Sequence, residues 1–189
     1  MIWWYVLLAV GVLGVGVVAS FLARSLDRIH KNVMKSRVAL ERALTDRAQA
    51  ALHVAQSGSL DAASSIVLAD LAIEAIAASV YPIVDDGLDA ISIGDDAVLA
   101  GRESDPPDRL SLESELSRAL RHSVDQLERG SGMEDLERAR VAVQMTRRFH
   151  NNHVAQARRV RKNPLVRLLH LQGHAPEPQM VNLDDREDR

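Results

Sequence analysis

The chain has 189 residues, a formal net charge of -3, 47% apolar but only 3% aromatic residues, and no cysteine. That length holds one ordinary domain plus an anchor, and the lack of cysteine excludes a disulfide framework, a zinc ribbon and a thiol nucleophile. The small net charge conceals segregation: 24–56 carries 7 Lys/Arg against 3 Asp/Glu, 57–110 carries 2 against 11, and 133–162 carries 8 against 3.

Residues 2–23 contain no charged side chain. At about 1.5 Å per residue they span roughly 33 Å, enough to cross a hydrocarbon core of about 30 Å, so 1–23 is expected to be a transmembrane anchor. Trp3, Trp4 and Tyr5 sit at one end, where amphipathic rings prefer the headgroup layer. Arg24, Arg28, Lys31, Lys35 and Arg37 follow the other end, and the positive-inside rule then places the N-terminus outside and the rest in the cytoplasm, at the cell's inner membrane. A cleaved signal peptide is the rival, with Val17 and Ala19 as small cleavage-site residues, but its basic leading region is missing. Gly16 and Ser20 form a small-xxx-small pair through which two anchors could homo-oligomerise, although scattered glycine is the plainer reading.

With few aromatic rings, the core must be built from Ala, Val, Leu and Ile, which favours helices. Leu26, Ile29, Val33, Leu40, Leu44, Ala48, Ala51 and Ala55 recur at helical spacing, predicting a helix over 24–56 that continues the anchor for roughly 50 Å. Ser57, Gly58 and Ser59 end it. Residues 60–80 read as a second helix, apolar nearly all round. A second span is the rival there, but Asp70 at its middle costs about 3 kcal/mol on insertion scales, so a buried bundle helix is preferred.

Residues 81–108 form an acidic connector, with some helix expected between 83 and 99 and disorder around 102–108. Asp85, Asp86, Asp95 and Asp96 lack the ligand spacing of an EF-hand loop and read as solvated. A third helix is expected over 109–129, capped by Asp108 or Ser111, with Leu112, Leu116, Leu120, Val124 and Leu127 on one face. The fourth, over 133–162, carries Leu136, Ala139, Val143, Thr146, His150, His153, Ala157 and Val160 as its stripe, with Phe149 beside it. Glu134, Asp135 and Glu137 at its start and Arg158, Arg159, Arg161 and Lys162 at its end suit the helix dipole; Asn163 and Pro164 stop it. The expected fold is all-α: an N-terminal transmembrane helix continuous with an antiparallel four-helix bundle over 24–172, then a tail over 173–189.

Matching the lengths of helices one and four returns Arg158, Arg159, Arg161 and Lys162 to the level of Arg24 and Arg28, near the headgroups. The following PLVRLLHL run, with Leu165 and Leu168 apolar and Arg167 able to snorkel, either enters the interface or folds back to cap the bundle. His150 and His153 share a helical face, but no Glu-x-x-His pair accompanies them, so they read as packing histidines rather than metal ligands. No nucleophile elbow, phosphate loop or zincin motif is present, and neither enzymatic activity nor a cofactor is expected. The basic end of helix four points to lipid rather than nucleic acid, given the tether and the scarcity of stacking rings.

The arrangement resembles the LemA family, membrane-anchored bacterial proteins with a short outside N-terminus, one span and a cytoplasmic helical bundle. Leu40, Glu41, Leu44 and Arg47 fall where that family tends to show Ile, Asp, Leu and Arg, and Arg147, Arg148, His150, Asn151 and Val154 look like its Arg-Arg-x-Tyr-Asn-x-x-Val segment. His150 replaces the tyrosine, a second Tyr-Asn would fall on Ala157 and Arg158, and the acidic connector has no counterpart. A divergent, actinobacterial-type member is suspected, and the resemblance implies little chemistry. The expectation is a non-enzymatic scaffold or adaptor whose partners are membrane lipids and another protein. The alternative is a protein that responds to anionic lipid at the membrane surface; a metal-dependent bundle enzyme comes third.

Overall fold

A computed structural model describes residues 2–84, 86, 108–124, 131–171 and 175–184. Five α-helices occur among them, and no strand: α1 (Ile2–Gln56), α2 (Ala62–Ala77), α3 (Arg109–Val124), α4 (Ser131–Arg161) and the short α5 (Pro164–Leu168), with a 3-10 turn over Ala78–Val80 after α2. The helix expected between 83 and 99 lies largely outside the described residues, as does 125–129 at the end of the expected third helix.

α1 is one unbroken helix of 55 residues. It ends where Gly58 takes a φ of +74°, a left-handed value that a side chain would disfavour. Asp61 then starts α2, its carboxylate accepting from the N–H groups of Ala63 and Ser64 at 3.0 and 3.1 Å. Asn163 caps α5 in the same way, through Leu165 N–H at 2.9 Å, with Pro164 in the first turn.

The apolar residues of α1 divide into two regimes. From Trp3 to Phe21 the large side chains are exposed, and from Ile29 onward the stripe through Val33, Leu40, Leu44, Ala48, Ala51 and Ala55 is buried. α4 lies along this buried face in antiparallel register: Ile29 and Val33 cluster with Val154 and Ala157, and further along Leu40 and Leu44 cluster with Val143. α2 packs on α1 only beyond that point, where Ala48, Ala51 and Val54 meet Leu68, Ala72 and Ala75, and Leu116 and Leu120 of α3 close the same cluster. Each leucine buried there contributes on the order of 1.5–3 kcal/mol.

Length explains the uneven cover. α2 and α3 have 16 residues each, about 24 Å, and cannot accompany a soluble part of α1 roughly twice as long. α4, with 31 residues, can. The middle of the molecule is completed by a different element, the extended segment 175–184, whose Val181 and Leu183 join Leu40, Leu44, Ile83 and Val143 in the core.

Candidate functional site

The buried face of α1 is not wholly apolar. Arg37, Leu40, Leu44 and Arg47 follow one another at spacings of three and four, so both arginines are carried inward with the leucines, to 1% and 2% exposure. A buried guanidinium needs a carboxylate and further acceptors, and each of these finds them in a different part of the chain.

Arg47 reaches α3. Its Nη2 donates to Glu113 Oε2 at 2.7 Å and to the Glu113 carbonyl at 3.0 Å, while Nη1 donates to Ser117 Oγ at 2.6 Å. Arg109, equally buried, lies with Nε 3.8 Å from the other oxygen of Glu113 and donates from Nη1 to the Tyr81 carbonyl at 2.5 Å. Glu41 completes the group, 3.9 Å from Arg109 and accepting the Ile83 N–H at 3.2 Å. Two guanidiniums and two carboxylates thereby tie α1, α3 and the chain leaving α2. α3 packs on α2 more closely than on α1, and the long side chain of Arg47 bridges the gap.

Arg37 pairs with Asp86, both buried. Asp86 is therefore not a solvated aspartate, as its acidic surroundings suggest, and Arg37 is not available to lipid headgroups. Its burial beside α4 and the tail gives each charge its partner. Asp86 Oδ2 also accepts the main-chain N–H of Gln179 at 3.1 Å, and the Gln179 carbonyl faces His150 Nε2 at 3.3 Å. A carbonyl only accepts, so this nitrogen carries the proton, leaving Nδ1 as an acceptor 3.2 Å from the Ser36 hydroxyl, whose one proton is shared with the Val33 carbonyl at 2.8 Å. Burial holds the imidazole below its ordinary pKa; Arg37 and His153 act in the same direction, and the Gln179 carbonyl and Asp86 oppose it. The ring is neutral at neutral pH.

Beyond Gln179 the hydrogen bonds to the tail run mostly to its backbone, with Glu177 also 3.3 Å from Arg158. The amide of Asn151 accepts from Val181 N–H and donates to Val181 C=O, both at 2.9 Å, as a neighbouring strand would. Arg158 donates to the Pro178 carbonyl at 2.9 Å, and Arg161 to those of Pro176 and Ala175 at 2.7 and 2.9 Å. Arg121 of α3 takes the Asp184 carbonyl at 2.6 Å and its carboxylate at 2.9 Å. Side chains from α3 and α4 thus recognise six carbonyls of an extended peptide while Val181 and Leu183 fill the core beneath.

The residues expected at a membrane interface divide into three sets. Trp3, Trp4 and Tyr5 are exposed at the start of α1, and Arg24, Arg28 and Lys31 where its exposed apolar part ends, with Lys31 paired to Asp27 at 2.8 Å and Arg24 over the Phe21 ring at 5.4 Å. Arg159, Lys162, Leu165, Arg167 and Leu168 are exposed, the two leucines at 46% and 75%, while Val166 between them is buried. Arg158 and Arg161 are half-buried and spend their donors on the tail. Arg161, Leu171 and Ala175 share a cleft with Ala23, Leu26 and Asp27, so the end of α4 lies beside the start of the charged part of α1. Ser20 Oγ donates to its own helix at the Gly16 C=O, 2.8 Å away.

Of the two short patterns in α1 and α4, Leu40, Leu44, Val154 and His150 are core residues, Glu41, Arg47 and Asn151 make the bonds above, Arg147 is half-buried and Arg148 exposed. His153 does not join His150: it lines an open groove with Lys35, Ser36, Thr146 and Phe149. Arg109, Glu113 and Ser117 were not expected from the sequence, nor was the docking of the expected tail against α3 and α4. The available signals were the position of Arg37 and Arg47 on the leucine stripe and the alternation of Val181 and Leu183. Comparison with protein-family models, curated proteins and solved structures returns no match.

Proposed function

We propose that this chain is a membrane-anchored, non-enzymatic scaffold of LemA-like type, with its N-terminus outside and an antiparallel four-helix bundle in the cytoplasm at the inner membrane. The observation that carries the reading is the continuity of α1, whose apolar side chains are exposed from Trp3 to Phe21 and buried against α4 and α2 from Ile29 on. A single helix that is apolar all round and then apolar on one stripe suits lipid first and a protein core afterwards. The network of Arg37, Arg47, Arg109, Asp86 and Glu113 serves, in this reading, to fix helix register and hold the tail rather than to turn over a substrate. Deleting residues 2–23 is expected to release the chain from membranes washed at alkaline pH. Retention of the deleted chain would overturn the anchor.

A second reading, response to anionic lipid at the membrane surface, is favoured by the exposure of Leu165 and Leu168 on a turn whose neighbour Leu171 lies beside Ala23 and Leu26. An apolar pair at that height, flanked by Arg167 and Lys162, matches a segment lying in the headgroup layer. Fluorophores attached at 165 and 168 of the full chain in liposomes should be quenched by lipid-borne quenchers, more strongly with anionic lipid. Emission untouched by those quenchers would leave a bundle cap.

A further inference from the structure

We propose that the outer face of α2 docks one amphipathic helix of another protein, carrying apolar residues at heptad spacing and a Lys or Arg opposite Asp70. The inference rests on the scaffold reading and specifies the chemistry of the partner.

α2 buries Leu68, Ala72 and Ala75, and its opposite side is also apolar. Ile66, Ile73 and Val80 are 70%, 54% and 67% exposed. With Ala63, Asp70 and Ala77, also on the exposed side, they alternate at spacings of three and four from one end of the helix to the 3-10 turn. That is the pattern of a coiled-coil seam, with isoleucines and valine at one set of positions and alanines, small enough to let a second backbone approach, at the other. A solvent-facing helix would carry charge at most of these positions, and of the six only Asp70 is charged.

The surroundings eliminate three occupants. Lipid is too far: α2 packs on Ala48, Ala51 and Val54 of α1, roughly 35 Å along the helix from Arg24, and even Ser79 at the near end of the seam lies beside Val38 and Glu41, about 20 Å from it. The chain's own connector has the wrong charge, since 85–108 carries 8 acidic residues and 1 basic one, and the seam is itself acidic. A second copy fixed in the same bilayer would bring its α2 in parallel, setting Asp70 against Asp70 in an apolar seam.

The charge that excludes a second copy also describes the partner. Asp70 and Glu74 are exposed one turn apart, with no ion-pair partner among the described residues, and no Lys, Arg or His occurs from 57 to 80. A helix entering between Ile66 and Ile73 meets Asp70 at mid-seam and needs a cation there.

The test uses the full chain in the cells that make it, with a photo-crosslinking residue at 66 or 73 of α2, or at 141 or 149 of α4. Expected are adducts at 66 and 73 with one protein, whose crosslinked peptide is an amphipathic helix with a Lys or Arg facing Asp70. Asp70→Lys should cut the yield at least about tenfold, and reversal of that cation to Glu should restore it. Asp70 is exposed, so the helical content of the variant, read by circular dichroism, should be unchanged. Adducts at 66 and 73 with lipid, with a second copy, or with a helix lacking the cation would overturn the docking. Adducts confined to 141 and 149 would overturn it while leaving a scaffold in place. No protein adduct at any of the four positions would sink both readings.

Discussion

Arg47 and His150 set the terms at the level of single residues. Glu113 is fully buried, and it is the carboxylate that meets both Arg47 and Arg109. Removing one partner of a buried pair leaves a charge with its desolvation uncompensated, so Glu113→Ala, which strips both Arg47 and Arg109, should destabilise the fold by about 3–5 kcal/mol, whereas the double variant Arg47→Met, Glu113→Leu, which leaves only Arg109 short of its carboxylate, should lose less. Denaturant unfolding of the full chain in one detergent checks both, and equal losses in the single and double variants would show that the pair does not act as described. His150 makes stability depend on pH. Its folded pKa is depressed below the ordinary 6.5, so the unfolded chain takes up the proton first on acidification. The stability it contributes is complete above 6.5 and is lost as pH falls through the lower folded value, and His150→Gln should flatten this part of the profile. A wild-type midpoint that rises on acidification below 6.5 would contradict the neutral buried ring.

Among the elements, the tail is the least expected, and its attachment can be tested by itself. Asn151→Ala removes two hydrogen bonds to Val181, a loss of about 1–3 kcal/mol local to the tail. Amide exchange over 175–184 should accelerate while α1 and α4 stay protected; unchanged exchange in the tail would mean that the apolar contacts of Val181 and Leu183 suffice. Neither the tail nor the arginine seam was legible in the sequence, for separable reasons. A segment bound through its own carbonyls needs no particular side chains, so only Val181 and Leu183, two residues apart, mark it. Arg37 and Arg47 were written into the leucine stripe, but a charge on a helix reads as solvated until its partner is known, and those partners are 49 and 66 residues away. What was legible is the all-helical class and the buried face of α1, because a repeating period survives any choice of neighbours: Ile29, Val33, Leu40, Leu44, Ala48, Ala51 and Ala55 are all buried. The same reasoning assigned α2 to a bundle interior, and there Leu68, Ala72 and Ala75 are buried while Ile66 and Ile73 face out.

For the whole molecule, α1 is a single rod, and the other helices are distributed unevenly along it. α4 accompanies the rod back to the level of Ala23 and Leu26, while α2 and α3 gather at the far end. In a bilayer this shape would hold the apolar outer face of α2 well away from lipid and keep Leu165 and Leu168 close to it. Both consequences depend on the anchor crossing the membrane with the bundle on the cytoplasmic side. The absence of native cysteine allows a direct measurement. A single cysteine, inserted after Met1 in one variant and replacing the exposed Asn152 in another, is exposed to a membrane-impermeant maleimide in cells whose inner membrane is intact. The account predicts labelling after Met1 at once and labelling at 152 only when that membrane is opened. Immediate labelling at 152, with the site after Met1 protected, would contradict it.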